Sequence, residues 1–214
     1  MKRGAKRINM KERIEKTIKS FHRNNMKAHH ITGRTELLAL LNSLIPENST
    51  VGCGDSVTLE QLGIFDHLRN SNVVYYDKHQ NGLTGSEKRE IYLDNFRADV
   101  FISGTNAITE NGEIINIDGN GSRVAPMIYG PKRVILVVGT NKITKNAEEG
   151  WFRARQTAAP LDAARLHKTT PCTVVGKCTD CKSESRICND FVMISRQFDP
   201  DRVHVIIIDG DYGY

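Results

Sequence analysis

No apolar run in this chain approaches the roughly 20 residues that a membrane span requires, so none is expected. The N-terminus, MKRGAKRINMKERIEK, lacks the apolar stretch and small-residue cleavage site of a secretory signal. A cytoplasmic protein is the expectation. Internal repeats and low-complexity linkers are missing as well, which excludes solenoids and tethered domain strings. At 214 residues, one large domain fits better than two. With 39% hydrophobic and 26% charged residues, the composition is that of a globular protein and leaves little room for long disorder.

The net charge of +5 is unevenly spread. Residues 1–27 hold ten Lys or Arg against Glu12 and Glu15, while the remaining 187 residues carry a charge of −3. The high pI therefore belongs to one basic N-terminal segment, and the body is mildly acidic. A solvated helix face accounts for that segment, so nucleic acid is not an expected partner. The division expected is a basic helical segment over 1–27 and an α/β domain over 28–214.

Ile14, Ile18 and Phe21 recur at helical spacing and predict a helix over roughly 10–24. Residues 26–31 can extend, and a second amphipathic helix opens at Thr35 and ends near Pro46. Short β-type runs recur at 50–52, 73–76, 99–103, 134–139 and 203–209, with helix-like segments at 58–68, 86–97 and 147–158. Runs buried on both faces and joined by helices imply a Rossmann-like α/β fold with a mainly parallel sheet. Asn111-Gly112 between two β-prone runs predicts an antiparallel hairpin insert, because both positions accept φ > 0.

Three polar loops follow predicted strands, where open α/β sheets bind ligands. In VGCGDSVT, Gly52 and Gly54 let the backbone approach an anion, with Asp55, Ser56 and Thr58 at the start of a helix. The run is neither a Walker loop nor a full dinucleotide fingerprint. Gly104, Thr105 and Asn106 form the second loop, and Asp118, Gly119, Asn120, Gly121 and Arg123 the third. Ordinary turn chemistry explains any one of them; the three together favour a site for a small anionic metabolite. Arg123, with Lys142 or Arg153, supplies the cationic donors. Cys53 is read as a buried residue. His22, His67, His79, His167 and His204 are scattered, without ligand spacing.

The sharpest motif lies in PCTVVGKCTDCKSESRICN, where Cys172, Cys178, Cys181 and Cys188 crowd into an otherwise aperiodic segment, 168–190. Without a secretion signal, such crowding reads as metal ligation rather than disulfides. A 4Fe–4S cluster is expected, with zinc as the alternative, since the spacing matches neither a zinc ribbon nor a ferredoxin run. Lys177, Lys182 and Arg186 would offset the thiolate charge.

Taken in order, VGCGDSVTLEQLGI, the long run FISGTNAITENGEIINIDGNGSRVAPMIYGPKRVILVVGTNKI, Trp151-Phe152-Arg153-Ala154-Arg155 and the cysteine run resemble the LUD domain of lactate-utilisation proteins. The resemblance covers roughly residues 10–214. It implies a fold like that of glucosamine-6-phosphate isomerase, ribose-5-phosphate isomerase and the CoA transferases. It also implies association with L-lactate oxidation through iron–sulfur proteins, which makes iron–sulfur oxidoreductase subunits candidate partners. The chain then belongs to a cysteine-bearing branch; whether it forms a homo-oligomer stays open. Glu110-Asn111-Gly112 is also similar to the Glu-Asn-Gly of CoA transferases, where the glutamate forms an acyl–CoA thioester. That likeness makes Glu110 a candidate nucleophile; the other reading is a hairpin turn.

Overall fold

The computed structural model describes residues 9–214. Lys2, Arg3, Lys6 and Arg7 of the basic segment lie outside the described residues. The elements run α1 (Met10–Arg23), β1 (Lys27–Ile31), α2 (Arg34–Leu44), β2 (Thr50–Cys53), α3 (Val57–Gln61), α4 (Ile64–Arg69), β3 (Val74–Tyr75) and α5 (Gly85–Asp94). They continue with β4 (Val100–Ser103), β5 (Ala107–Thr109), β6 (Ile114–Asp118), α6 (Val124–Ile128), β7 (Arg133–Gly139), β8 (Ile143–Thr144) and α7 (Ala147–Arg153). The chain ends with α8 (Ala159–Arg165), α9 (Pro171–Val175), β9 (Asp190–Ile194) and β10 (Val203–Ile208). Among the described residues, no helix is long and apolar enough to cross a membrane.

Six strands form one parallel sheet in the order β1-β10-β7-β4-β2-β3. Its centre is buried on both sides, as the sequence runs predict. On β7, Val134, Leu136 and Val138 join the core on one face, while Ile135 and Val137 join that on the other. On β10, Val203, Val205 and Ile207 oppose Ile206 and Ile208 in the same way. This period of two sends each strand's alternate side chains into different layers. Leu37, Leu41, Leu59, Ile64 and Leu68, from α2, α3 and α4, cover the second face.

The expected antiparallel hairpin is present as β5 and β6, which belong to a second, four-stranded mixed sheet in the order β8-β5-β6-β9. This sheet brings Ile108, Ile114 and Ile194 into the core on the first face of the parallel sheet. The turn differs from expectation, since of Asn111 and Gly112 only Gly112 takes a positive φ, 79°. Its amide donates to Thr109 O at 2.9 Å, closing a turn that ends in a left-handed glycine. A Cβ there would lie 2.6 Å from the backbone of Ser20, so α1 packs directly on the turn.

The expected helix over 58–68 divides at Gly63 (φ 66°), which starts α4 in the left-handed region. The expected helix over 147–158 is α7 followed by a π-helical turn, Ala154–Ala158, and then α8. The basic segment, from residue 9 on, is not a detached arm. Helix α1 buries Ile14, Thr17, Ser20 and Phe21, and Ile14 and Phe21 join the core with Met26 and Ala28.

Two cations of α1 converge on Glu110: Arg13 Nε donates to Oε1 at 2.7 Å and Lys16 Nζ to Oε2 at 2.9 Å. Burial pushes the Glu110 carboxyl up, but Lys16 and Arg13 outweigh it and hold the group below its ordinary value. A carboxyl lowered in this way stabilises the fold above its unfolded pKa, and that stability is lost as pH falls through the folded value. Glu110→Gln is therefore expected to reduce stability at neutral pH by about 1–3 kcal/mol. In urea titrations the difference should close below about pH 4; a pH-independent difference would show that the ion pairs contribute nothing.

Candidate functional site

Because all strands of the main sheet run the same way, the loops after β2, β4 and β7 emerge at one edge. There they meet the loop after β6, and together they enclose a cavity of about 490 Å³. Asp55 and Ser56 come from the first loop, Gly104, Thr105 and Asn106 from the second, and Asp118, Gly119, Asn120 and Arg123 from the third. Lys142 enters from the 3₁₀ turn that follows β7. Sequence loops far apart in the chain are thus one lining.

Five of the anticipated residues stand behind that lining. Thr58 accepts from Lys142 Nζ at 2.8 Å. Arg153 reaches the backbone, with Nε on Asn141 O at 3.2 Å and Nη1 on Asn106 O. A Cβ on Gly54 would lie 2.3 Å from Ser103 Oγ and 2.8 Å from Arg123 Cγ, so the absence of a side chain there is steric. Gly52 lies as tightly against Asn95, and Gly121 accepts from the Ala125 amide at the start of α6.

Arg123 is expected to hold an anion, but its guanidinium is committed largely to the protein. Nη1 donates to Asn116 Oδ1 at 2.6 Å and Nη2 to Ile117 O at 2.8 Å. Longer bonds reach Asn106 Oδ1 at 3.4 Å and Gly104 O at 3.5 Å. The Asn106 and Asn116 side chains in turn accept from the Ile117 and Asn106 amides. Arg123 therefore ties the second loop to the third while lining the cavity.

Several lining residues carry no local sequence signal: Lys78, Tyr92, Asp162, Arg165 and Tyr214; Arg186, read from the sequence as a counter-charge to the thiolates, lines the cavity too. Arg165 Nη2 bonds Asp55 Oδ2 at 2.7 Å. Burial pushes the Asp55 carboxyl up, yet Lys78 and Arg165 hold it below the ordinary carboxylate value. The Lys78 ammonium lies 5.6 Å from the Tyr92 ring centre, and burial pulls its pKa down. Among lining residues, six Lys or Arg stand against three Asp, a formal excess of basic groups. Lys142 itself is buried at 3% exposure. Burial first, then the Arg153 and Arg123 guanidiniums, push its amine down to about 7.

The thiols of Cys172, Cys178, Cys181 and Cys188 line a second, small cavity of about 20 Å³. Among the described residues, no three His, Cys, Asp or Glu side chains are drawn together closely enough to hold a metal ion. The donor chemistry nevertheless suits one. Arg155 of the π turn donates to Cys178 Sγ at 3.9 Å, and Gln156 Oε1 accepts from the Cys178 amide at 3.2 Å. Burial, and next the neighbouring Cys178 thiol, push Cys188 up to about 11. Arg186 and Ile187 belong to the walls of both cavities. Asn189 fastens the same segment to the third loop, its amide donating to Asp118 O and its side chain to Gly119 O, both at 2.9 Å. Glu110 lies elsewhere and is not a lining residue; to act as a nucleophile it would first have to release Arg13 and Lys16.

The fold defines a Rossmann-like α/β protein with a cavity at the carboxyl edge of a parallel sheet. More particularly, the chain belongs to the LUD domain family, whose model matches residues 14–208. A solved DUF162 family protein from Deinococcus radiodurans shares the fold at 13% identity and a TM-score of 0.53, over 94% of this chain and 99% of that one. Partial overlaps extend to a variant of the decarboxylase AibA/AibB (18% identity, TM-score 0.33, 50% of this chain and 60% of that one). Another is with ribose 5-phosphate isomerase from Plasmodium falciparum (17% identity, TM-score 0.32, 53% and 52%). No curated protein sequence matches the chain.

Arg123→Lys keeps the charge but removes the planar fork that joins the loops. Chemical denaturation is expected to show a loss of about 1–3 kcal/mol. Unchanged stability would mean that the loops hold their positions without it.

Proposed function

We propose that this chain is a lactate-utilisation-type metabolic protein that binds a small anionic metabolite in the cavity lined by the three loops and Lys142, and a metal centre at the four cysteines. One observation carries the reading: three separated loops and Lys142 share a lining in which, Lys142 aside, five Lys or Arg stand against three Asp. Membership of the LUD domain family supports the metabolic setting. In this reading the anion meets Lys78 and the amides of the loops, while Arg123 and Arg153 hold those loops and add favourable charge.

The metal half rests on thiol chemistry. Four thiolates suit either the 4Fe–4S cluster or zinc, and the Arg155 and Arg186 guanidiniums offset their charge. As arranged, no three of these thiols stand close enough to hold an ion, so either centre requires them to converge. When bound, a cluster supplies one-electron transfer, and iron–sulfur oxidoreductase subunits are then its fitting partners, whereas zinc supplies structure alone.

Two measurements test the halves separately. Anaerobically isolated protein is expected to contain iron with sulfide, or zinc, and to lose it in the Cys178→Ser, Cys181→Ser double variant. Metal-free protein with all four of these thiols open to alkylation would end that half. Calorimetry with inorganic phosphate and with L-lactate is expected to show binding that Lys78→Ala weakens about tenfold, or ~1.4 kcal/mol. No heat with either anion, or equal affinity in the variant, would remove the anion half.

A further inference from the structure

Lys142 stands out in this cavity because its amine is desolvated and meets two acceptors but no carboxylate. Its Nζ donates to Thr58 Oγ1 at 2.8 Å and to Thr105 O at 3.2 Å. Thr58 gives its own hydroxyl proton to Tyr212 O at 3.1 Å, so toward Lys142 its oxygen can only accept. An uncharged amine has two N–H donors and one lone pair, and these two acceptors take both N–H groups. The lone pair then points away from them, on a residue that lines the cavity. No carboxylate is among the groups that act on this amine; Arg153 and Arg123 are. A lysine desolvated beside other cations is the ordinary form of an amine nucleophile.

We propose that Lys142 forms an imine with a 2-oxo acid bound in this cavity. The proposal rests on the anion-cavity reading above and adds a reaction to it. The class of substrate follows from the charges that act on the amine. The Arg153 and Arg123 guanidiniums favour an anionic group beside the attacked carbon, and in a 2-oxo acid the carboxylate is bonded directly to the carbonyl. The lone pair of Nζ forms the new C–N bond as the carbonyl π pair moves to oxygen. One N–H proton passes to that oxygen, giving a carbinolamine. The remaining N–H proton leaves with the hydroxyl as water while the nitrogen pair forms the C=N bond; one water is released and nothing is oxidised.

Borohydride trapping on the full-length protein tests this directly. Pyruvate or glyoxylate is added near pH 7, hydride reduces the imine carbon to a stable secondary amine, and peptide mass locates the adduct. The expected result is a Lys142 peptide labelled about tenfold more than any other lysyl peptide, since ordinary lysines are almost wholly protonated at that pH. Labelling of Lys142 should level off above about pH 8, while that of surface lysines goes on rising. Label spread evenly over surface lysines, or none at Lys142, overturns the proposal. Calorimetry with pyruvate on the same samples separates the two ideas. Binding without an adduct removes only the imine step; no binding removes the anion cavity with it.

Discussion

The shape of the cavity depends on Arg123 being held by its own protein. A parallel sheet delivers several strand ends to one edge, but loops that leave it are free to diverge. Here the Arg123 fork spans from Asn116 and Ile117 on β6 to Asn106 and Gly104 after β4. Gly54 makes room for this, since a side chain there would meet both Ser103 and Arg123. A rigid planar donor suits the work better than an ammonium, because its directions are fixed before the loops close on it. The charge that remains is shared with the cavity, so one residue sets its geometry and biases its electrostatics.

The cysteine segment is joined to the same scaffold. Ile187 and Arg186 are common to both cavities, and Asn189 bonds the backbone of the third loop. The π turn between α7 and α8 faces the segment from the other side through Arg155 and Gln156. A π-helical turn widens a helix locally and is frequent beside functional sites. Any ordering of the thiols by a bound centre would therefore be felt at Asp118 and Gly119. Reciprocal linkage requires that an anion held there be felt in return by the thiols.

Much of this architecture was legible in the chain, for reasons that differ by element. Strands β7 and β10 are doubly buried apolar runs, and the polar loops at 104–106 and 118–123 follow strands, so local composition marks them. Of the second sheet only the β5–β6 hairpin was legible. Strand β8 is two residues long, and β9 shows a half-exposed pattern that gains meaning only once β6 lies beside it. The role of Glu110 escaped for a similar reason: the Glu-Asn-Gly sequence says nothing of a helix 97 residues earlier that supplies Arg13. Lys78, Tyr92, Arg165 and Tyr214 were hidden because each sits on an unremarkable surface segment, and tertiary folding alone turns it inward.

Charge in a confined site is shed by whichever group can release it. A guanidinium stays protonated under almost any pressure a protein exerts, whereas an ammonium gives up its proton once desolvation and neighbouring cations oppose it. With Arg123 and Arg153 fixed by backbone bonds, the field they create falls on Lys142, buried at 3% exposure and pushed to about 7. The field that attracts an anion is thus the one that frees the lysine's lone pair. An arriving anion weakens this field and would favour reprotonation. A ligand whose carbonyl lies beside its charge offers the lone pair a bond at the moment the proton could return. For that reason the chemistry at Lys142 and the charge of the ligand are best understood as one property of the cavity.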